Sequence, residues 1–170
     1  MIINIEVGDI TSRENHADII IGMNSELKDV TGIGLPFVKK INALHPIDLG
    51  SVLSFKLDND RNVHMIICHH LGKGGWKDAD MHVRFGMDYL WHTERNGRKF
   101  SIVKVGTGRV GVRDGADPIR IHTAMATSHL PVTLFVYNPR ETVAAHVALE
   151  RPLVAYRAWH PVLGEERIAA

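Results

Sequence analysis

Apolar positions along this chain follow two periods, and stretches of each alternate. Residues 2–7 (Ile-Ile-Asn-Ile-Glu-Val) are β-branched and alternate in polarity, which predicts a first strand. Residues 17–21 form a second apolar run closed by Gly22, Met23 and Asn24, the pattern of a strand covered on both faces. Residues 37–44 switch to helical spacing through Phe37, Val38, Ile41 and Leu44, with Pro36 just inside the helix start. Residues 50–57 and 63–68 predict two more strands around the turn Asp58-Asn59-Asp60. A helix is expected over 79–94, carrying Val83, Met87, Leu90 and Trp91 on its core face, with Asn96-Gly97 ending it. Residues 101–105 predict a buried strand, 118–129 a helix, 131–137 the last strand and 141–149 a terminal helix. This order specifies an α/β fold, a three-layer α/β/α sandwich with a central mixed, mainly parallel sheet. Residues 1–150 are expected to form that domain, and 151–170 a polar C-terminal extension.

Two of these strand-to-helix connections are rich in glycine. The first reads Thr31-Gly32-Ile33-Gly34-Leu35-Pro36. The second, Gly106-Thr107-Gly108-Arg109-Val110-Gly111, follows the strand at 101–105 and precedes the helix opened by Asp117-Pro118. Glycine lets a ligand approach the main chain, and successive exposed N–H groups form a concavity suited to an anion. Ligands of parallel α/β sheets bind outside the carboxyl ends of the strands. If both loops face one edge of the sheet, they make a cleft rather than two isolated turns. Asp9, in Gly8-Asp9-Ile10-Thr11 after the first strand, has two readings: a cap for the following turn, or an acceptor for a ligand amine.

Bulk properties narrow the partners. At 170 residues the chain is one domain long and can bury a sizeable core. Its 20 basic and 19 acidic residues leave a formal charge of +1, which gives no electrostatic case for nucleic acid or an anionic membrane. Any anion site must therefore be local. The single cysteine, Cys68, excludes an intrachain disulfide and fits a reducing compartment, so a cytoplasmic protein without signal peptide or membrane span is expected.

In order and spacing, these motifs resemble the macrodomain family over about residues 1–138: Gly8-Asp9-Ile10-Thr11, then Ala17-Asp18-Ile19-Ile20-Ile21 leading to Asn24, then the two glycine loops. The helix entry from Gly32 to Lys40 looks closer to the branch that includes terminal ADP-ribose hydrolases. The resemblance implies a fold that binds ADP-ribose in a cleft. It implies that Asp9 receives the adenine amine with Ile10 lending its backbone, and that Gly32, Ile33, Gly34 and Leu35 wrap the proximal ribose and one phosphate. Gly106, Thr107, Gly108, Arg109 and Val110 would hold the diphosphate through main-chain N–H groups, with Tyr137 or Asn138 near the adenine. It also implies as alternatives an ADP-ribosyl hydrolase, an interaction module without ligand, and an ADP-ribosylated macromolecule as partner. The chain departs from the family in three places. Gly22-Met23-Asn24-Ser25 stands where common members carry an Asn-Ala-Ala-Asn-type segment. His69 stands near the position of the branch's lysine, and Arg109 or Val110 near that of its aspartate. No catalytic residue is therefore transferred.

The remaining candidates carry paired readings. Arg109 contacts a phosphate or is solvated. His69 or His70 acts as a neutral base on a water, or is a hydrogen-bonded loop histidine. His64, His69, His70, His82 and Cys68 match no standard metal-ligand spacing, so no metal and no cofactor are expected. Lys73 reads as a solvated loop lysine, Cys68 as a buried structural thiol and Trp91 as core. Trp76 and Trp159 stand in polar surroundings and are available to cover a ligand or partner.

Overall fold

The computed structural model describes residues 1–28, 34, 38, 41, 46–58, 60–94 and 97–136, the side chain of residue 109 excepted. Six strands form one sheet: β1 (Ile2–Val7), β2 (Asp18–Asn24), β3 (Val52–Lys56), β4 (Asn62–His69), β5 (Phe100–Val103) and β6 (Val132–Val136). Three helices join them among the described residues: α1 (Ala79–Thr93), α2 (Arg109–Arg113) and α3 (Pro118–Thr127). The sheet order is β1-β6-β5-β2-β4-β3. Every adjacent pair is parallel except β3 with β4, which form an antiparallel hairpin. The mixed, mainly parallel sheet expected from the sequence is therefore the one observed.

Alternation along β2 sorts the core onto two faces. Ile20 turns to the cluster that α1 and α3 cover with Val83, Met87, Leu90, Ile121 and Met125. Ile19, Ile21 and Met23 turn to a second cluster with Ile10, Leu53, Met65 and Ile67, against which Val38, Ile41 and Leu49 pack. Gly86 brings α1 directly onto the sheet, since a Cβ there would stand 2.6 Å from Cγ2 of Ile66. Asp117 caps α3 by accepting a hydrogen bond from the N–H of Arg120 at 3.2 Å, with Pro118 opening the helix.

A polar network pins the edge of the sheet where β2 and β4 begin. Asp18 accepts from the N–H of Asn62 (2.9 Å), from His64 Nε2 (2.9 Å) and from Arg98 Nε and Nη2 (2.8 and 2.6 Å). Burial alone would raise the pKa of this carboxyl, but the bonds from His64, Arg98 and the amide outweigh burial and bring it down to about 2. Ser54 Oγ meets the other ring nitrogen of His64 at 2.7 Å, so this histidine is fully engaged in structure.

The structure corrects three expectations. Trp91 is 38% exposed, not core: Val83, Met87 and Leu90 fill the inward stripe of α1, and position 91 falls one residue beyond it. The strand at 101–105 is Phe100–Val103, with Val105 buried but beyond the ladder. The run 106–111 is not all loop, because a short helix, α2, starts at Arg109 before α3 is reached. The expected helix over 37–44 (apart from Val38 and Ile41), the terminal helix 141–149, the extension 151–170 and Trp159 lie outside the described residues.

Candidate functional site

Parallel pairing brings the ends of β1, β6, β5, β2 and β4 to one edge of the sheet. At that edge a cleft of about 670 Å³ opens over the exits of β2, β4 and β5. That volume suits a small-molecule ligand. Gly34 from the first glycine loop lines it together with Gly106, Gly108, Val110 and Gly111 from the second. Gly34 and the second loop thus line one cleft.

The second loop is shaped for close approach. Gly106 has φ +79°, and a Cβ there would meet Ile121 Cδ1 at 2.9 Å and Ala116 Cβ at 3.1 Å. Gly108 precedes α2 in an extended conformation with open space where a Cβ would stand. Among the described residues, the main-chain N–H groups of Gly106, Thr107, Gly108, Val110 and Gly111 have no hydrogen-bond acceptor. Unpaired main-chain donors need water or a ligand, and a run of them at a cleft wall suits an anion.

The β4 wall is aromatic and electrically quiet. His69 ends β4 and stacks on Trp76, ring centroids 3.7 Å apart and planes 10° from parallel. Desolvation pushes the pKa of His69 down to about 4, so the ring is neutral at pH 7. Trp76 also reaches toward the second loop, with Cζ3 3.5 Å from where a Gly106 Cβ would be. Asp114 is a buried carboxylate in the same lining, and Arg113 donates to both its oxygens at 3.0 and 3.3 Å. The arginine holds this carboxyl below its usual range. The Asp114 carbonyl accepts from Gly74 N at 3.2 Å, tying the loop after β4 to the end of α2.

A latch joins the exits of β2 and β4. Ser25 Oγ lies 2.9 Å from Glu26 Oε2 and 2.6 Å from His70 Nδ1, and Glu26 also accepts from the N–H of Leu71. Ser25 N donates to the His69 carbonyl at 2.9 Å. Sequence reading missed this latch and missed Asp114, because the latch partners lie 45 residues apart and no spacing announces them.

The other sequence-derived residues are distributed as follows. Asn24 reaches the cleft, but its amide is spent on the exit loop: Nδ2 donates to the Lys28 carbonyl at 2.8 Å and Oδ1 accepts from Lys28 N at 3.2 Å. Asp9 is exposed at the end of β1 and accepts from Thr11 N (2.9 Å) and Thr11 Oγ1 (2.7 Å), a turn cap. Neither Asp9 nor Ile10 is among the described lining of the cleft. Ile10 is fully buried, and its carbonyl is held by Asn15 Nδ2 at 2.8 Å. Thr107 is exposed beside the lining glycines, and Arg109 is the first residue of α2. Gly32, Ile33, Leu35, Tyr137 and Asn138 lie outside the described residues. Cys68 is fully buried, and desolvation pushes its thiol up to about 12. A second cavity, about 560 Å³, lies elsewhere around Ala17, Lys99, Phe100 and Pro131, and neither glycine loop contributes to it.

Comparison with known proteins finds no matching family model and no curated relative. Among solved structures, the chain is similar to a macrodomain protein from Streptomyces coelicolor at 14% identity and TM-score 0.57, covering 81% of this chain and 100% of that one. It is similar to the Oceanobacillus iheyensis macrodomain with ADP at 15% identity and TM-score 0.58, covering 86% and 88%. A Bacteroides thetaiotaomicron protein of unknown function matches at 18% identity and TM-score 0.58, covering 79% and 97%. A mixed, mainly parallel sheet with this strand order, a cleft at its carboxyl edge and these neighbours together give the chain a macrodomain-like fold.

Proposed function

We propose that this protein binds ADP-ribose or a related ADP-ribosyl metabolite in the cleft between the two glycine loops. One observation carries the reading: Gly106, Gly108, Val110 and Gly111, whose main-chain N–H groups have no acceptor among the described residues, line the cleft together with Gly34. Such donors neutralise a diphosphate without a lysine cluster, which accords with the chain's near-zero net charge. A structural neighbour from Oceanobacillus iheyensis holds ADP, which supports a nucleoside diphosphate here. In this reading Asp9 receives the adenine amine at the β1 end of the edge, and Gly32, Ile33, Gly34 and Leu35 wrap the proximal ribose and one phosphate.

Hydrolysis of an ADP-ribosyl bond, on a metabolite or a modified macromolecule, is the second reading, favoured by a carboxylate in the cleft lining. It ranks behind binding because both oxygens of Asp114 are bonded to Arg113, which makes it a weak base.

Calorimetric titration with ADP-ribose tests the proposal. Heat of binding with 1:1 stoichiometry is expected, and Asp9→Ala is expected to weaken adenine-containing ligands while leaving the fold intact. Absence of both heat and thermal shift at millimolar ligand refutes it and leaves an interaction module. Turnover of O-acetyl-ADP-ribose or of an ADP-ribosylated protein would promote the hydrolase reading.

A further inference from the structure

The contact between adjacent residues Cys68 and His69 has a chemical consequence for the cleft. Cys68 Sγ lies 3.4 Å from His69 Nδ1. The sulfur is fully buried, and its burial keeps the thiol protonated. A buried thiol proton needs an acceptor. His69 Nδ1 is the acceptor within reach. Since the thiol stays protonated far above neutral pH, that proton is always present.

A neutral imidazole has one lone pair and one N–H. We propose that the Cys68 thiol holds His69 as the Nε2–H tautomer, so that His69 donates a hydrogen bond to an acceptor oxygen of the bound ligand and does not activate water. The stack on Trp76 fixes the ring plane, and the hydrogen bond to sulfur fixes which nitrogen carries the proton. Nε2 has no hydrogen-bond partner among the described residues, and His69 lines the cleft. The one lone pair is turned into the core, toward sulfur, where no water in the cleft can give it a proton. This assignment rests on the ADP-ribose reading for its ligand. There β4 lies beyond β2 on the side away from β1, so the acceptor is a hydroxyl oxygen of the sugar farthest from the adenine.

Two measurements test it on the full chain. Long-range nitrogen–proton NMR of the histidine rings, with His69 assigned by its loss in His69→Gln, is expected to show the Nε2–H pattern at neutral pH. A Nδ1–H pattern or a doubly protonated ring overturns the proposal, and this readout needs no ligand. In ADP-ribose titrations, His69→Gln, whose amide N–H₂ reaches the Nε2 position, is expected to bind within about threefold of the parent. His69→Asn, whose amide reaches only the Nδ1 position, is expected to bind about tenfold more weakly, one hydrogen bond's worth. Equal affinity of the two variants overturns the proposal. If the parent binds no ADP-ribose, the ligand reading falls and the NMR result alone decides the tautomer.

Discussion

His69 and Trp76 lie face to face, ring centroids 3.7 Å apart, and so join the end of β4 to the loop that follows it. An aromatic pair of this kind contributes about 0.5–1.5 kcal/mol beyond the area it buries. The pair also fixes the cleft wall, because Trp76 reaches toward Gly106 on the opposite loop. Trp76→Ala is therefore expected to weaken ADP-ribose binding by about tenfold, and Trp76→Phe by less than about threefold. Calorimetry checks both, and equal losses in the two variants count against a stacking role.

Glycine substitutions in the second loop are expected to separate stability from binding. Gly106→Ala places a Cβ against Ile121 and Ala116 at φ +79°, and should cost about 2 kcal/mol of stability. Gly108 has φ −68° and open space beside it, so Gly108→Val should leave the fold intact while its side chain blocks approach to the loop amides. Chemical denaturation and ADP-ribose titration of both variants give the comparison. A Gly108→Val protein that binds as well as the parent removes the loop from the site.

Acid should act on the fold in two windows. His69 and His122 are held neutral by desolvation, each with its pKa lowered to about 4. A histidine that charges more readily unfolded than folded stabilises fully above its unfolded pKa of 6.5 and loses that contribution as pH falls to 4. For His122, which is almost wholly buried, this amounts to about 3 kcal/mol. His122→Gln is expected to flatten the stability profile between pH 6.5 and 4, measured as the urea midpoint against pH. An unchanged profile would place the acid response elsewhere.

The second window belongs to Asp18. Its carboxyl titrates near 2 when folded and near 3.8 otherwise, so its contribution is complete above 3.8 and disappears as pH falls through 2. The difference corresponds to about 2 kcal/mol. Asp18→Asn keeps the shape but removes the charge that Arg98 and His64 share, and should lower the melting temperature at pH 7 while abolishing the steepest loss below pH 4.

Strands were the legible part of the sequence. Ile19, Ile20 and Ile21 announce a doubly covered strand because burial on both faces demands continuous apolar residues. The edge where the second glycine loop lies was legible too, since a loop after a parallel strand falls at the carboxyl edge of the sheet. Trp91 was misplaced because a helical stripe is wider in pattern than in space, and Leu90 already fills the inward position. The helix α2 was hidden by its own composition, since Gly111 lies inside it and lowers helix propensity. Asp114 and the Ser25–Glu26–His70 latch were not legible, since they depend on which loops the topology sets side by side.

The strand order carries an implication for how the molecule comes into being. Among the described strands, β1 pairs only with β6, some 125 residues later in the chain, and that late strand must slot between β1 and β5. Until Val132–Val136 has left the ribosome, residues 2–7 have no ladder to join, and the turn bearing Asp9 has no carbonyl of Val136 to anchor Gly8. The end of the edge that bears Asp9 is thus assembled last, by closure over a long chain separation that slows folding, while β2 with β4 pairs early.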